Sequence, residues 1–224
     1  MSMREKLTVS RIAAYVLGLF SLALGIAASV RSNLGSSPGA SIPYMLNLTT
    51  GLEFGTATFL WLSFLVFVQI FIQRHEFSPW ILMQLITSFV FGYLNSFANW
   101  IFSLFPAPES IIVRAFLTCF GFVVGGLGVW LYSSADLINM PSEGIAMTLA
   151  KKLKKPFHII KIAFDITCVA LSCICCLVFI RSIGSFGIGT VVIAVMMGTM
   201  VGFYEKHCGN WLRKEFAKGK VLFM

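Results

Sequence analysis

Six apolar runs, each long enough to cross a lipid bilayer, constrain the fold of this chain more than any other feature. A helix needs about 20 apolar residues to span a hydrocarbon core about 30 Å thick. Because lipid offers no hydrogen-bond partner to the backbone, such runs fold as helices. The runs cover residues 12–30, 55–73, 79–105, 115–133, 159–180 and 186–204, in a chain that is 58% hydrophobic and 12% charged. We therefore predict an all-α polytopic membrane protein with six transmembrane helices.

The two halves of the chain repeat one another. Four positions recur 103 residues later, since Gly18, Gly25, Asn33 and Pro38 are matched by Gly121, Gly128, Asp136 and Pro141. In the third span of each half, Gly92 and Phe97 are matched by Gly198 and Phe203 at an offset of 106 residues. Each half holds an odd number of spans, so we expect the copies to be upside down relative to each other, as in many secondary transporters. We predict two inverted three-helix repeats, residues 12–105 and 114–204, with an external linker at 106–113.

The first run also has features of a cleaved signal peptide, because basic residues precede it and the small residues Ala27, Ala28 and Ser29 end it. The apolar core of a signal peptide is only about 7–15 residues long, shorter than this run. The run is also part of the repeat. We therefore interpret it as the first transmembrane span.

Basic residues predict the orientation of the spans, since lysine and arginine collect in cytoplasmic loops. Only Arg31, Arg114 and Arg181, of the 17 lysines and arginines, fall on the other side of the six-span plan. Both the N-terminal segment 1–11, with Arg4 and Lys6, and the basic tail 205–224, with Lys220, are therefore predicted to be cytoplasmic. This side is expected to contact anionic lipid. The chain has no room for a soluble basic face that would bind nucleic acid.

Each half contains a short polar segment with a marginal helix, at about 36–49 outside and about 141–153 inside. Pro38 and Pro141 are placed for the first turn of a helix, with a polar capping residue before them. Free N–H groups at helix starts bind anionic groups, and in inverted-repeat transporters two such starts meet near the midplane and hold the substrate. The alternative is a pair of ordinary helices on the membrane surface. The substrate-binding candidates are Ser36, Ser37, Gly39, Ser41, Asn139, Ser142, Glu143 and Gly144.

Polar residues inside the spans supply a second set of candidates, because such residues are costly in a membrane. Asp165 is placed to pair with Lys161 one turn earlier, either as a structural ion pair or in coupling to a proton or cation. Glu143 either caps its helix or binds a substrate amine. The amides on the third span either join helices or line a polar cavity. The coupling or cavity candidates are Asp165, Asn33, Asp136, Gln84, Asn95 and Asn99.

Small residues one turn apart predict where spans approach closely. Such pairs are Ser21 and Gly25, Gly121 and Gly125, and Gly198 and Gly202. The sequence contains no phosphate-binding loop, HExxH pair or nucleophile elbow. We therefore predict no enzymatic activity, no cofactor and no metal site.

Several segments together resemble the YczE/YitT-like membrane proteins of bacteria. The resemblance is carried by residues 34–38 (Leu-Gly-Ser-Ser-Pro), Pro43-Tyr44, residues 139–144 (Asn-Met-Pro-Ser-Glu-Gly) and Phe164-Asp165, and it extends from the first span to the sixth. It implies a multi-pass protein of the bacterial inner membrane, of a kind often assumed to be a transporter, and it supplies no substrate. Gly39 stands where some members of that family have an acidic residue.

These observations predict a secondary-active transporter that moves a small polar solute, anionic or zwitterionic, by alternating access. An ion gradient is the expected energy source, since the chain has no nucleotide-binding motif. The alternative is a non-transporting structural subunit or a membrane protein that binds a partner. A channel has little support, because no ring of like residues is apparent. Small six-span proteins often form dimers, so a homodimer is also considered.

Overall fold

The structure is a computed structural model that describes residues 8–74, 78–184 and 186–218. Arg4, Lys6 and Lys220, which contribute to the predicted orientation, lie outside the described residues. Short 3-10 helices precede two of the α-helices, at Pro38–Ala40 and Pro79–Leu82. The α-helices of the described residues are α1 (Val9–Ser32), α2 (Ser41–Thr50), α3 (Phe54–Gln73), α4 (Met83–Ser103), α5 (Ile111–Ala135), α6 (Pro141–Leu153), α7 (Phe157–Ile180) and α8 (Ile188–Lys218).

Six helical segments of the described residues are long and apolar enough to cross a membrane, which confirms the predicted class and number of spans. They are α1, α3, α4 with its preceding 3-10 helix, α5, α7 and α8. The last helix is longer than predicted and continues into the segment assigned to the tail. The Trp130 indole donates a hydrogen bond of 2.9 Å to Glu205, and Arg213 bonds the same carboxylate at 2.7 Å. The first bond holds the extension of α8 against α5, and the second lies within α8 and orients the carboxylate.

The first helices of the two halves, α1 and α5, form the centre of the protein. A Cβ atom added at Gly18 would lie 2.6 Å from the Tyr132 backbone nitrogen, and one added at Gly25 would lie 2.6 Å from the Gly121 carbonyl oxygen. Ascending positions in α1 meet descending positions in α5, so the two helices are antiparallel. Only residues without a side chain allow backbones to approach so closely. The predicted contact faces at Gly25 and Gly121 are confirmed.

The third predicted contact face is wrong in this conformation. A Cβ atom added at Gly198 or Gly202 has no described neighbour within 4 Å. The corresponding glycine of the first half, Gly92, packs against Gly55 of α3, whose added Cβ would lie 2.2 Å from the Gly92 carbonyl oxygen. Thus α3 and α4 pack along each other, whereas α7 and α8 lack an extended contact among the described residues.

The short helices α2 and α6 are packed inside the helical bundle. Each contacts the second long helix of its own half and that of the other half, so α2 lies against α3 and α7, and α6 lies against α7 and α3. Their first turns are buried at Ser41, Ile42 and Pro43 in α2 and at Pro141 and Gly144 in α6. Because the neighbouring helices are apolar spans, this packing places both helix starts among membrane-spanning helices.

Candidate functional site

The starts of the two short helices open into one cavity of about 730 Å³, which we call the main cavity. It lies in the gap between α7 and α8, and α1, α3, α4 and α5 supply the rest of its wall. A cavity of this size lies in the range of small-molecule sites, about 300–1,000 Å³. The sequence-predicted candidates that line it are Ser37, Gly39, Ser142, Glu143, Asp165 and Asn95.

Left-handed residues at matching positions turn the chain into the two helix starts. Asn33 has φ 53° at the end of α1, and Asp136 has φ 50° at the end of α5. Asparagine and aspartate tolerate this conformation better than most residues. Neither residue lines the main cavity, and the structure shows for both a backbone role at the end of a helix.

The prolines take the predicted places in the first turns, but the expected capping does not occur. Pro38 and Pro141 are in the first turns of their helices. The residues at the cap positions, Ser37 and Met140, make no side-chain hydrogen bond to the helix start. Met140 has no oxygen to offer, which explains the second case. The Ser37 side chain is buried on the wall of the main cavity.

Glu143 is held in the main cavity by a tyrosine that the sequence analysis did not single out. The Tyr132 hydroxyl donates a hydrogen bond to the Glu143 carboxylate. Tyr132 is buried near the end of α5, and its ring meets that of Tyr15 edge to face. Tyr132 and Glu143 lie on different helices, α5 and α6, so their spacing in the sequence does not predict a contact. Only the fold brings the two side chains together. The bond fixes the carboxylate at the cavity wall.

The predicted ion pair on α7 is confirmed and lies on the same wall. The Lys161 ammonium is 2.5 Å and 2.6 Å from the two carboxylate oxygens of Asp165. Both side chains are about three-quarters buried, at 25% and 27% exposure. A pair of this kind stabilises the helix and also places two charges at the cavity. The structural and coupling interpretations of Asp165 therefore both remain.

Asn95 of α4 lines the main cavity and has an unpaired acceptor. Its side-chain nitrogen donates to the Phe91 carbonyl oxygen at 2.9 Å. The residue is fully buried, and no described residue donates to its Oδ1. Since the Phe91 carbonyl can only accept, the amide nitrogen faces it and the amide oxygen is left for another partner. Asn99, one turn away, does not line the cavity.

A second cavity, of about 720 Å³, lies near α6 and is lined by three further candidates. Asn139, Gly144 and Gln84 line it, together with Gln69 of α3. A Cβ atom added at Gly144 would lie 2.6 Å from Gln69 Oε1 and 2.7 Å from Gln84 Nε2, so the missing side chain makes room for both amides. The basic residues on its wall are Arg74, Lys151 and Lys152.

Five candidates line neither cavity, namely Asn33 and Asp136, described above, and Ser36, Ser41 and Asn99. Ser36 is fully buried, and Asn99 is half-buried on α4. The Ser41 hydroxyl donates to the Pro38 carbonyl oxygen at 2.8 Å, and its own carbonyl accepts a bond of 2.9 Å from Ser172. Ser41 therefore joins α2 to α7. Gln69 was missed, although a lone glutamine in an apolar span is the signal that singled out Gln84.

Comparison with known proteins places the chain in a family. Residues 9–206 match DUF6198, a family of unknown function. The uncharacterized protein YyaS of Bacillus subtilis (strain 168) is 28% identical over 203 residues, which cover 86% of this chain and 93% of that protein. An uncharacterized protein of Haemophilus influenzae is 21% identical over 187 residues, covering 82% of this chain and 78% of that protein. No solved structure matches the chain. The match over most of its length shows that this chain belongs to the DUF6198 family.

Proposed function

We propose that this protein is a secondary-active transporter that moves a small organic solute through the main cavity by alternating access. Two halves of related sequence each contribute a short helix start to one cavity between apolar helices. Inverted-repeat transporters bind their substrates at such a place. The resemblance to YczE/YitT-like proteins points the same way.

Reciprocal contacts support an inverted repeat. Gly18 meets Gly128, and Gly25 meets Gly121, where Gly121 and Gly128 are the sequence matches of Gly18 and Gly25. When residue i of one copy meets residue j of the other, and j meets i, a two-fold axis relates the copies.

The α2 and α6 contacts repeat the same exchange. Gln69 of α3 lies over Gly144 of α6, and Ser172 of α7 bonds to Ser41 of α2. Ser172 is the match of Gln69, and Gly144 is the match of Ser41, each at the offset of 103 residues. The second contact is therefore the first contact with the two halves exchanged. The two-fold relation therefore extends from the central helices to the short ones.

The observation that carries the proposal is the difference between the two halves. Gly92 packs against α3, whereas its match Gly198 faces the main cavity without a neighbour within 4 Å. Two halves of related sequence thus adopt two arrangements: α3 and α4 are packed together in the first half, and α7 and α8 are separated in the second. If the halves exchange these arrangements, α7 closes on α8 while α3 parts from α4. This exchange gives alternating access.

The remaining parts of the proposal concern the solute, the coupling residue, the location and the partners. The predicted solute is anionic or zwitterionic, because helix starts attract anionic groups. Asp165 is the proposed coupling residue. The proposed location is a bacterial inner membrane with both termini in the cytoplasm, and the relatives from Bacillus subtilis and Haemophilus influenzae are bacterial. Anionic lipid near the basic residues and a homodimer complete the proposed partners.

A cross-linking experiment tests the exchange. In the closed half, a Cβ atom added at Gly92 would lie 3.0 Å from the Phe59 Cβ atom. The matching pair across the open gap is Ile162 and Gly198, both on the main cavity. We expect Ile162→Cys/Gly198→Cys, in a background without the 6 native cysteines, to form a disulfide under mild oxidation in proteoliposomes. The closed state should also protect a Ser142→Cys label site.

Two control pairs bracket this result. Phe59→Cys/Gly92→Cys should cross-link in the conformation described above. Leu171→Cys/Gly198→Cys should not cross-link in either state, because Leu171 lies more than two turns along α7 from Ile162. If Ile162→Cys/Gly198→Cys behaves like the negative control, the gap does not close. That result would contradict alternating access and favour the non-transporting structural or partner-binding role.

A further inference from the structure

The ionisable groups of the main cavity leave one carboxyl group without a charged partner. Lys161, Asp165 and Glu143 are the charged side chains on its described wall. Lys161 and Asp165 neutralise each other in their ion pair. The partner of Glu143 is the Tyr132 hydroxyl, which donates a hydrogen bond but carries no charge. The carboxylate of Glu143 is therefore the group that a charged solute would meet.

Asn95 adds a second acceptor to the same wall. Its Oδ1 is fully buried without a donor among the described residues. A buried acceptor of this kind costs free energy until a donor reaches it. Because the Phe91 carbonyl holds the amide nitrogen, the side chain cannot turn to present a donor instead. Glu143 and Asn95 thus both offer acceptors that a donor on the solute can meet.

The rest of the wall is mostly apolar. Side chains from α1, α3, α4 and α8 contribute to it, among them Leu22, Ile26, Leu62, Phe91 and Ile193. Such a surface favours an apolar body on the solute, since its burial removes apolar area from water. The polar contacts are then left to one end of the molecule.

We propose that the main cavity recognises an organic ammonium group on an apolar body, with Glu143 and Asn95 as the accepting residues. An ammonium group has three donors, no acceptor and a positive charge, which matches both residues. A carboxylate has only acceptors and would face Glu143 with the same charge. The inference rests on the proposed function, and it changes the expected solute: it retains zwitterions, excludes anions and adds organic cations.

Three compounds with one carbon skeleton test the proposal. Hexylamine carries only the ammonium, norleucine carries ammonium and carboxylate, and hexanoate carries only the carboxylate. Their octyl counterparts extend the series to a larger body. We expect the amines and amino acids to raise the melting temperature of the detergent-purified protein in a concentration-dependent manner, and we expect the carboxylates to have no effect.

Variants assign the effect to the two residues. Glu143→Gln should weaken amine binding at least tenfold, and Glu143→Asp should recover part of it. Asn95→Ala should weaken binding several-fold, whereas Asn99→Ala, an amide one turn away and outside the cavity, should not. Each variant is first compared with the wild type for its melting temperature without a compound, so that a folding defect is recognised.

Three results would overturn the proposal, and the first two concern the compounds. One is binding of the carboxylates at least as strong as that of the amines, and the other is no binding by any amine of the series. Amine binding that Glu143→Gln leaves unchanged would also reject Glu143 as the acceptor. The cross-linking test of alternating access contains no solute. The transport proposal therefore stands or falls independently of this one.

Discussion

Gly128→Ala tests the central contact between α1 and α5. The added Cβ atom would lie 2.4 Å from the Leu22 backbone nitrogen and 2.6 Å from the Gly18 carbonyl oxygen. Non-bonded atoms prefer separations of about 3.5 Å, so the helices must part by roughly 1 Å. Because both obstacles are backbone atoms, the cost should reach the upper part of the usual overpacking range, about 3 kcal/mol.

Alanine also favours a helix over glycine by about 1 kcal/mol, which leaves a net loss of about 2 kcal/mol. For a chain of this size that loss corresponds to a fall in melting temperature of about 4–8 °C. The matched control is Gly198→Ala, whose Cβ atom meets nothing within 4 Å. It should melt at or slightly above the wild-type temperature. Thermal unfolding in detergent measures both, and a Gly128→Ala protein as stable as the control would refute the reasoning.

Two further predictions concern charged groups. Lys161→Met should destabilise the protein by about 1–3 kcal/mol, because it leaves the mostly buried Asp165 without its partner. Lys161→Met/Asp165→Leu should recover most of this loss in the same thermal assay, and a single variant as stable as the wild type would argue against the pair. Glu53 caps α3, and although partial burial raises its pKa, hydrogen bonds from Thr56 and its neighbours outweigh this and hold the pKa below its ordinary value. Its stabilisation is therefore present above the unfolded pKa and is lost as the pH falls through the lowered value. The difference in melting temperature between wild type and Glu53→Gln should be present at about pH 7 and largely absent at about pH 3. A difference that is the same at both pH values would contradict this.

The difference between the halves also predicts how the protein responds to a side chain at Gly198. Its match Gly92 is packed, whereas Gly198 is open. A bulky side chain at Gly198 should therefore be tolerated in the described conformation and should obstruct the closed one. A substitution of this glycine should thus leave the stability unchanged and hinder the proposed motion.

Much of the architecture was predictable because its causes are local in sequence. The six apolar runs determine the spans, and all six are present among the described residues. Pro38 and Pro141 mark the helix starts, which lie within two residues of their predicted positions. The spacing of glycines in α1 and α5 predicted where these helices touch. The length of α8 was missed, because a bond from Trp130 of another helix to Glu205 supports its continuation beyond residue 204.

The membership of the site was decided by tertiary structure. Glu143 and Gly144 are neighbours in sequence, yet they face different cavities, because a helix turns by about 100° per residue. Asn95 and Asn99 share a helix face, yet only Asn95 reaches the main cavity. Tyr132 joined the site without any sequence signal.

Hydropathy, proline and glycine by themselves thus determined that this chain forms six membrane-spanning helices and two short helices between them. They act on the chain over one or two helical turns. Which side chains share a cavity, and which half is open, depend on the rotation and spacing of helices that lie far apart in sequence. Those quantities are set by packing between helices, and only the tertiary structure decided them.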